Sequence, residues 1–298
     1  MRLSLWLAAT RPAFLSVTLV GVVIGLAAAI HDQAFRSSWL AVITLLFALI
    51  AHAGANVIND YYDARSGCDA ANTARIAPFT GGSRFIQDGI LSERATCLYG
   101  YALLALVIPA GLWLINQSGP LLLVIGLGGL LCGWAYSAPP LKLQSRGLGE
   151  IAITLAWLTV VVGSDYVQSQ SLSATALYAG LAYAPLVANV LFVNQVPDRI
   201  ADASVGKNTL IVRCTATIAP WGSLALYAAS TMVLMAGILN GALPINSAMA
   251  MIAVAPAAIA LSALFDNPVD PSRLQRAIPA TIVSCLLGGL MLAIGLIF

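Results

Sequence analysis

Nine stretches of this chain are each apolar for about the 20 residues that a helix needs to cross a bilayer. They lie near 13–30, 38–58, 95–115, 120–136, 150–166, 173–195, 218–239, 244–265 and 278–298. A closed β-barrel is the other way to satisfy a backbone in lipid, but apolar runs this long without alternation exclude one. Only 9% of the 298 residues are charged and 60% are hydrophobic, against about a quarter charged in soluble domains. The chain therefore reads as an all-α polytopic membrane protein with lipid as its main solvent. The first stretch follows a basic segment and ends in Ala27-Ala28-Ala29, as a signal peptide would, yet its apolar run is longer than a signal core. It is read as a spanning helix.

The cations fix an orientation. Of the fourteen Lys and Arg residues, only Arg36 falls on the face opposite the N-terminus. The rest, from Arg2 and Arg11 to Arg273 and Arg276, share the N-terminal face, which the positive-inside rule makes cytoplasmic. The expected home is the cell inner membrane, with the N-terminus in the cytoplasm. A net charge of +2 carries no nucleic-acid signal, and no such partner is expected. The five cysteines (68, 97, 132, 214, 285) have no paired spacing and read as small helix residues rather than a zinc site or disulfide framework.

Ten of the twelve acidic residues, all but Asp32 and Asp165, also lie on the N-terminal face; Asp165 is expected to be solvated at the opposite face. Two loops carry most of the signal: NVINDYYDARSGCD (56–69) and NQVPDRIADASVGK (194–207). Asn56, Asp60 and Asp63 fall at i, i+4 and i+7, and Asn194, Asp198 and Asp202 at i, i+4 and i+8. Helical geometry stacks each set on one face, although Pro197 weakens the inference for the second. Asp69 follows in a turn. Stacked carboxylates repel unless a cation joins them. Oxygen-only ligands favour a hard cation such as magnesium, which takes one or two carboxylates together with substrate phosphates.

The two clusters are 138 residues apart, Asn56 to Asn194. That spacing suggests a single membrane domain, 1–298, built from two four-helix pseudo-repeats (roughly 13–136 and 150–265) plus a ninth helix, 278–298, with the clusters facing a central cavity. Cations for a phosphate come from Arg84 in TGGSRFIQDG (80–89), from Lys142 and Arg146 in YSAPPLKLQSRGLGE (136–150), and from Lys207. The glycines of TGGS let backbone N–H groups approach an anion. Tyr136, Trp157 and Tyr183 are candidates to stabilise an allylic carbocation through cation–π attraction. His52, one turn before Asn56, is a candidate to line the cavity or touch an acceptor. Together these residues imply a diphosphate with a hydrophobic tail. The rival reading is a transporter for a phosphorylated solute, disfavoured by an outer face almost without polar chemistry.

These motifs resemble the UbiA superfamily of intramembrane aromatic prenyltransferases, over nearly the whole chain. The second motif, Asn194-xxx-Asp198-xxx-Asp202, is complete. The first has Asp63 where the family pattern puts Asp at 64, here Ala, and its later Asp corresponds to Asp69; whether Asp63, Asp69 or both reach the metal stays open. The resemblance implies two magnesium ions between the motifs, with Lys142, Arg146 and Tyr136 over the diphosphate. It also implies a polyprenyl diphosphate donor and an aromatic acceptor alkylated at carbon. The run from TGGSR to IQDGILS is most similar to the 1,4-dihydroxy-2-naphthoate polyprenyltransferases of menaquinone synthesis. Rival acceptors in the superfamily are 4-hydroxybenzoate, homogentisate, haem and chlorophyllide.

Overall fold

A computed structural model describes residues 3–298; Arg2, counted above among the cations of the N-terminal face, lies outside the described residues. Among the described residues there is no strand. A short helix α1 (Leu3–Ala9) leads into α2 (Pro12–His31) and α3 (Ser38–Ser66). The single turn α4 (Cys68–Ala71) and a long loop precede α5 (Glu93–Ser118), α6 (Leu121–Ser137), α7 (Gly149–Ser169) and α8 (Ala174–Ser204). After the short α9 (Leu210–Cys214) come α10 (Ala219–Leu239), α11 (Val254–Asp266), which continues a 3₁₀ segment Ile245–Ala253, and α12 (Pro271–Ile297).

The helix ends follow local chemistry. Ser37, Ser92 and Ser173 cap α3, α5 and α8 by accepting from Leu40, Ala95 and Ala176 N–H groups, which satisfies donors that have no partner inside the helix. Pro12 and Pro271 open α2 and α12, where a missing N–H is harmless. Gly67, at φ 80°, stops α3 in the left-handed region.

Among the described residues, eight helical segments are long and apolar enough to cross a membrane, so the protein is multi-pass. The expected stretch 120–136 forms α6, an apolar helix of only 17 residues. Two expected spans run past their apolar limits: α3 continues to Ser66 and α8 to Ser204, each carrying its Asp motif as unbroken helix. Pro197 does not break α8. A proline removes one backbone bond, and in membrane helices packed neighbours compensate; here Pro197 is itself buried.

Helix α8 is the axis of the bundle, with α2, α7, α10 and α12 packed around it. Tyr183, fully buried on α8, donates its hydroxyl to Val17 O at 2.8 Å. It is a packing residue outside the central cavity, not the carbocation-facing ring expected. Small residues permit this closeness, as in membrane bundles generally. A Cβ on Gly25 would lie 2.3 Å from Val161 O, so α2 and α7 touch backbone to backbone.

The face opposite the motifs is stitched shut. Arg36 Nε donates to Gln168 O at 2.7 Å and its Nη2 to Val167 O at 2.7 Å, while the fully buried Gln168 side chain accepts from the Arg36 and Ser37 N–H groups. The guanidinium thus meets carbonyls at the C-terminal end of α7, where the helix dipole is negative. Asp165, expected in solvent, is instead fully buried, with Ser169 Oγ donating to it at 3.3 Å. Helix α7 runs to Ser169 and α8 packs over it.

Candidate active site

Where α3 and α8 emerge from the bundle, their carboxylates converge on the mouth of one cavity of about 540 Å³. Helix periodicity puts Asn56, Asn59 and Asp63 of α3 on its wall, and Asn194, Asp198 and Asp202 of α8 on the facing wall. Gly67 then turns the chain so that α4 folds back and brings Asp69 to the same mouth. The walls below are apolar and run down α3, α5, α6 and α7 as far as Leu114, Leu122 and Val167 near the opposite face.

One cation joins the two motifs. Lys207 Nζ lies 3.0 Å from Asp63 Oδ2 and 3.5 Å from Asp202 Oδ1. Cys68 adds a second tie, its thiol donating to Asp202 Oδ1 at 2.9 Å. Asp63 also accepts from Asn59 Nδ2 at 3.0 Å and Gln144 Nε2 at 3.3 Å. Asp198 accepts from Asn72 Nδ2 at 2.6 Å and from the Gly81 N–H at 3.3 Å. Asp60 is buried behind the wall, paired with Arg11 and with the Ser83 N–H.

Charge at the mouth is mutually adjusted. Burial pushes the Asp69 carboxyl up to about 7, and Asp63 and Asp60 push the same way against Arg11 and Lys207. Burial alone would lower Lys207, but Asp63 and Asp202 outweigh it and hold the ammonium charged. Arg11 behaves alike: burial is overcome by Asp60, Asp69 and Asp63.

The structure brings together most, not all, of the residues expected from sequence. Asn56, Asp63, Asp69, Asn194, Asp198, Asp202, Lys207, His52 and Tyr136 line the cavity. Asp60 does not reach it. Lys142 and Arg146 are exposed outside it. The chain reverses after Ser137, so Arg146 Nη2 meets Pro140 O at 2.8 Å and the residue turned inward is Gln144. Arg84 also stands off, with Nη1 on Asp69 O at 2.8 Å and its side chain toward Asp88. The TGGS backbone does approach anions, but they are the protein's own Asp60 and Asp198.

Five contributors escaped the sequence reading: Arg11, Asn59, Cys68, Asn72 and Gln144. Arg11 had a usable signal, a cation placed directly before a helix-opening proline at the motif-bearing face. Asn59 had one too, standing one helical turn before Asp63. Cys68, Asn72 and Gln144 had none, because the carboxylates they meet are distant in sequence.

The donor set fits a hard cation. Carboxylate and amide oxygens line the cavity near its mouth, and three buried amide oxygens of its lining residues, Asn72 Oδ1, Asn194 Oδ1 and Gln195 Oε1, have no partner. Buried acceptors are normally satisfied. Among the described residues, no three His, Cys, Asp or Glu side chains converge closely enough to hold a metal unaided. A cation here would need oxygens from a bound ligand, as magnesium commonly takes them.

A sequence profile of the UbiA prenyltransferase family matches residues 14–284. The chain is 29% identical over 211 residues to a Mycobacterium tuberculosis protein named 1,4-dihydroxy-2-naphthoate octaprenyltransferase, covering 70% of this chain and 69% of that one. It is 28% identical to the Escherichia coli protein of the same name, covering 71% and 69%. Its fold is similar to a UbiA homolog from Archaeoglobus fulgidus bound to GPP and Mg2+. That likeness has a TM-score of 0.61 at 17% identity and covers 96% of this chain and 99% of that one.

Proposed function

Because the chain belongs to the UbiA prenyltransferase family, we propose that it transfers a polyprenyl group from its diphosphate to 1,4-dihydroxy-2-naphthoate, in a magnesium-dependent step of menaquinone synthesis. The observation that carries this reading is the pairing of two Asp motifs across the mouth of a long apolar cavity, through the single cation Lys207. A charged mouth over an apolar shaft matches a ligand with a diphosphate head and a hydrocarbon tail. The naphthoate acceptor is drawn from the names of the curated relatives.

In this reading Asn56 and Asp63 of the first motif and Asn194, Asp198 and Asp202 of the second would hold magnesium, two ions by the family resemblance, with Asp69 beside them; Asp60, paired with Arg11 behind the wall, would join them only once Arg11 lets it go. Bound there, magnesium supplies neutralisation of charge on the leaving diphosphate. Lys207 and Arg11 turn from the carboxylates to the phosphate oxygens, and Tyr136 faces the reacting end of the donor. Arg84, Lys142 and Arg146 form an outer rim that draws the anion in. The allylic C–O bond breaks with its electron pair leaving on the diphosphate. A ring carbon supplies the pair for the new C–C bond. The ring regains aromaticity by losing a proton, or carbon dioxide if that carbon bore a carboxylate. The dry shaft shields the cation from water, and electrostatic stabilisation of this kind is commonly the largest catalytic effect.

The reading places nine spans in the inner membrane, N-terminus and active site cytoplasmic, in one domain of two pseudo-repeats and a ninth helix. Parity supports it. Lys207, just past α8, bonds Asp63 near the end of α3, so both helices end on one face. Helices α5, α6 and α7 intervene, and since α5 and α7 are both long and apolar enough to span, α8 returns to that face only if the 17-residue α6 crosses as well. A transporter would need a second opening, and the shaft ends against Leu40, Leu114, Leu122, Tyr166 and Val167 beneath the Arg36 clamp.

The test is a product assay in lipid with magnesium and a long-chain prenyl diphosphate, offering 1,4-dihydroxy-2-naphthoate, 4-hydroxybenzoate and homogentisate, read by mass spectrometry. Prenylated naphthoate that disappears on chelation is expected. A product on another ring would replace the acceptor, and no product from any would overturn the reading.

A further inference from the structure

One helical turn below Asn56, roughly 6 Å deeper along α3, the cavity wall changes character. His52 lies on that wall, and Ala48, Ala51 and Ala55 of α3 line the cavity beside it. These methyl-sized side chains leave room for a flat ring. The imidazole is held from two sides. Its Nδ1 is 2.8 Å from Thr18 Oγ1 of α2, a hydroxyl only 1% exposed. Its ring stands edge-to-face on Trp157 of α7, centroids 5.0 Å apart at 89°. Trp157 also lines the cavity; it is 7% exposed, and its Nε1–H has no hydrogen-bond partner. Thr18 and Trp157 leave the imidazole little freedom to turn, and the Asn56 side chain, one turn above, is the other polar group close enough to bond the ring.

A buried indole N–H without a partner is unusual, and so is an ionisable ring inside a membrane bundle without a task. Both lie on the wall of the same cavity, at a level where the diphosphate head cannot reach and the first carbons of the donor would. Fixing one imidazole nitrogen assigns the role of the other. A hydroxyl, which both donates and accepts, can meet Nε2 in either role.

We propose that Thr18, His52 and Trp157 form the acceptor subsite, in which His52 Nε2 hydrogen-bonds a ring hydroxyl adjacent to the carbon that is alkylated. This rests on the prenyl-transfer reading above and narrows its acceptor class to hydroxylated aromatic rings recognised through that hydroxyl. His52 binds the acceptor directly, while Thr18 acts as a positioning residue through it.

The test separates hydroxyl recognition from folding and from donor use. With 1,4-dihydroxy-2-naphthoate as acceptor, His52→Ala raises the acceptor KM about tenfold, the worth of one hydrogen bond of ordinary strength, and leaves the donor KM unchanged. Thr18→Val, which keeps the imidazole but frees its Nδ1, raises the acceptor KM by a smaller factor in the same direction. Two competitors, read by how each inhibits transfer to 1,4-dihydroxy-2-naphthoate, then isolate the contact: 1-hydroxy-2-naphthoate against 2-naphthoate. The wild type prefers the hydroxylated ring about tenfold, and His52→Ala loses that preference. If product forms but His52→Ala keeps both the preference and the acceptor KM, this inference is wrong and the transfer reading stands. If His52→Ala does not fold, an unchanged acceptor KM in Thr18→Val overturns it instead. If wild-type protein prenylates no hydroxylated ring, both fall.

Discussion

Lys207 is the residue on which the mouth turns, since among the described residues it alone pairs with carboxylates of both motifs. Replacing it with Ala leaves Asp63 and Asp202 facing each other without a cation. Breaking a buried pair in this way costs roughly 3–5 kcal/mol. Lys207→Ala should therefore melt at lower temperature in chelator, with a smaller deficit when magnesium is added, and thermal unfolding in detergent checks both. Asp198→Asn keeps the shape and loses the charge. Prenyl transfer by that variant is expected to fall at least about a hundredfold, the scale of losing a key electrostatic group, with the fold retained by circular dichroism. Asp69 gives a pH signature. Its pKa is raised from 3.8 to about 7 in the folded protein, so the folded state holds the proton more tightly than the unfolded chain. Its contribution is complete below the unfolded value and is lost as pH rises through about 7. Metal-free protein should melt progressively lower over that window, and Asp69→Asn should flatten the decline.

At the scale of the element, the close α2–α7 crossing at Gly25 is a sensitive contact. A Cβ there meets a backbone oxygen at 2.3 Å, and backbone cannot swing aside as a side chain can. Gly25→Ala should cost about 1–3 kcal/mol through overpacking, read as a lower melting temperature with the acceptor KM little changed. Elements were largely legible beforehand because lipid imposes a length and a composition on every span. The Asp motifs were legible because a helical period puts Asn56 and Asp63, or Asn194 and Asp202, on one face. That period cannot say which carboxylate looks inward, and Asp60 is turned away by Arg11, a partner 49 residues distant. Lys142 and Arg146 misled for a similar reason. Between them a left-handed residue, Lys142 at φ 43°, opens a 3₁₀ turn that points Gln144 inward and its charged neighbours out. Asp165 misled because nearness to a helix end was read as nearness to water.

For the whole molecule, parity and charge make one joint statement about topology. A reporter placed after Gly241, in the turn following α10, should read from the side opposite the Asp motifs, whereas one after Gly206 should read from theirs. A shared side for both would remove α10 from the spans. The bundle is asymmetric between its two faces: one is sealed by Arg36 and Gln168, the other holds nearly all of its titratable groups. The mouth, moreover, carries its own counter-ions, Lys207 and Arg11. Under the proposed function, a donor arriving with magnesium would not fall into an empty electrostatic trap but would exchange partners, the carboxylates turning from ammonium and guanidinium to metal and the released cations to phosphate. Such a mouth behaves as an ion exchanger, and its grip on the donor should vary less steeply with salt than that of a bare cluster of cations.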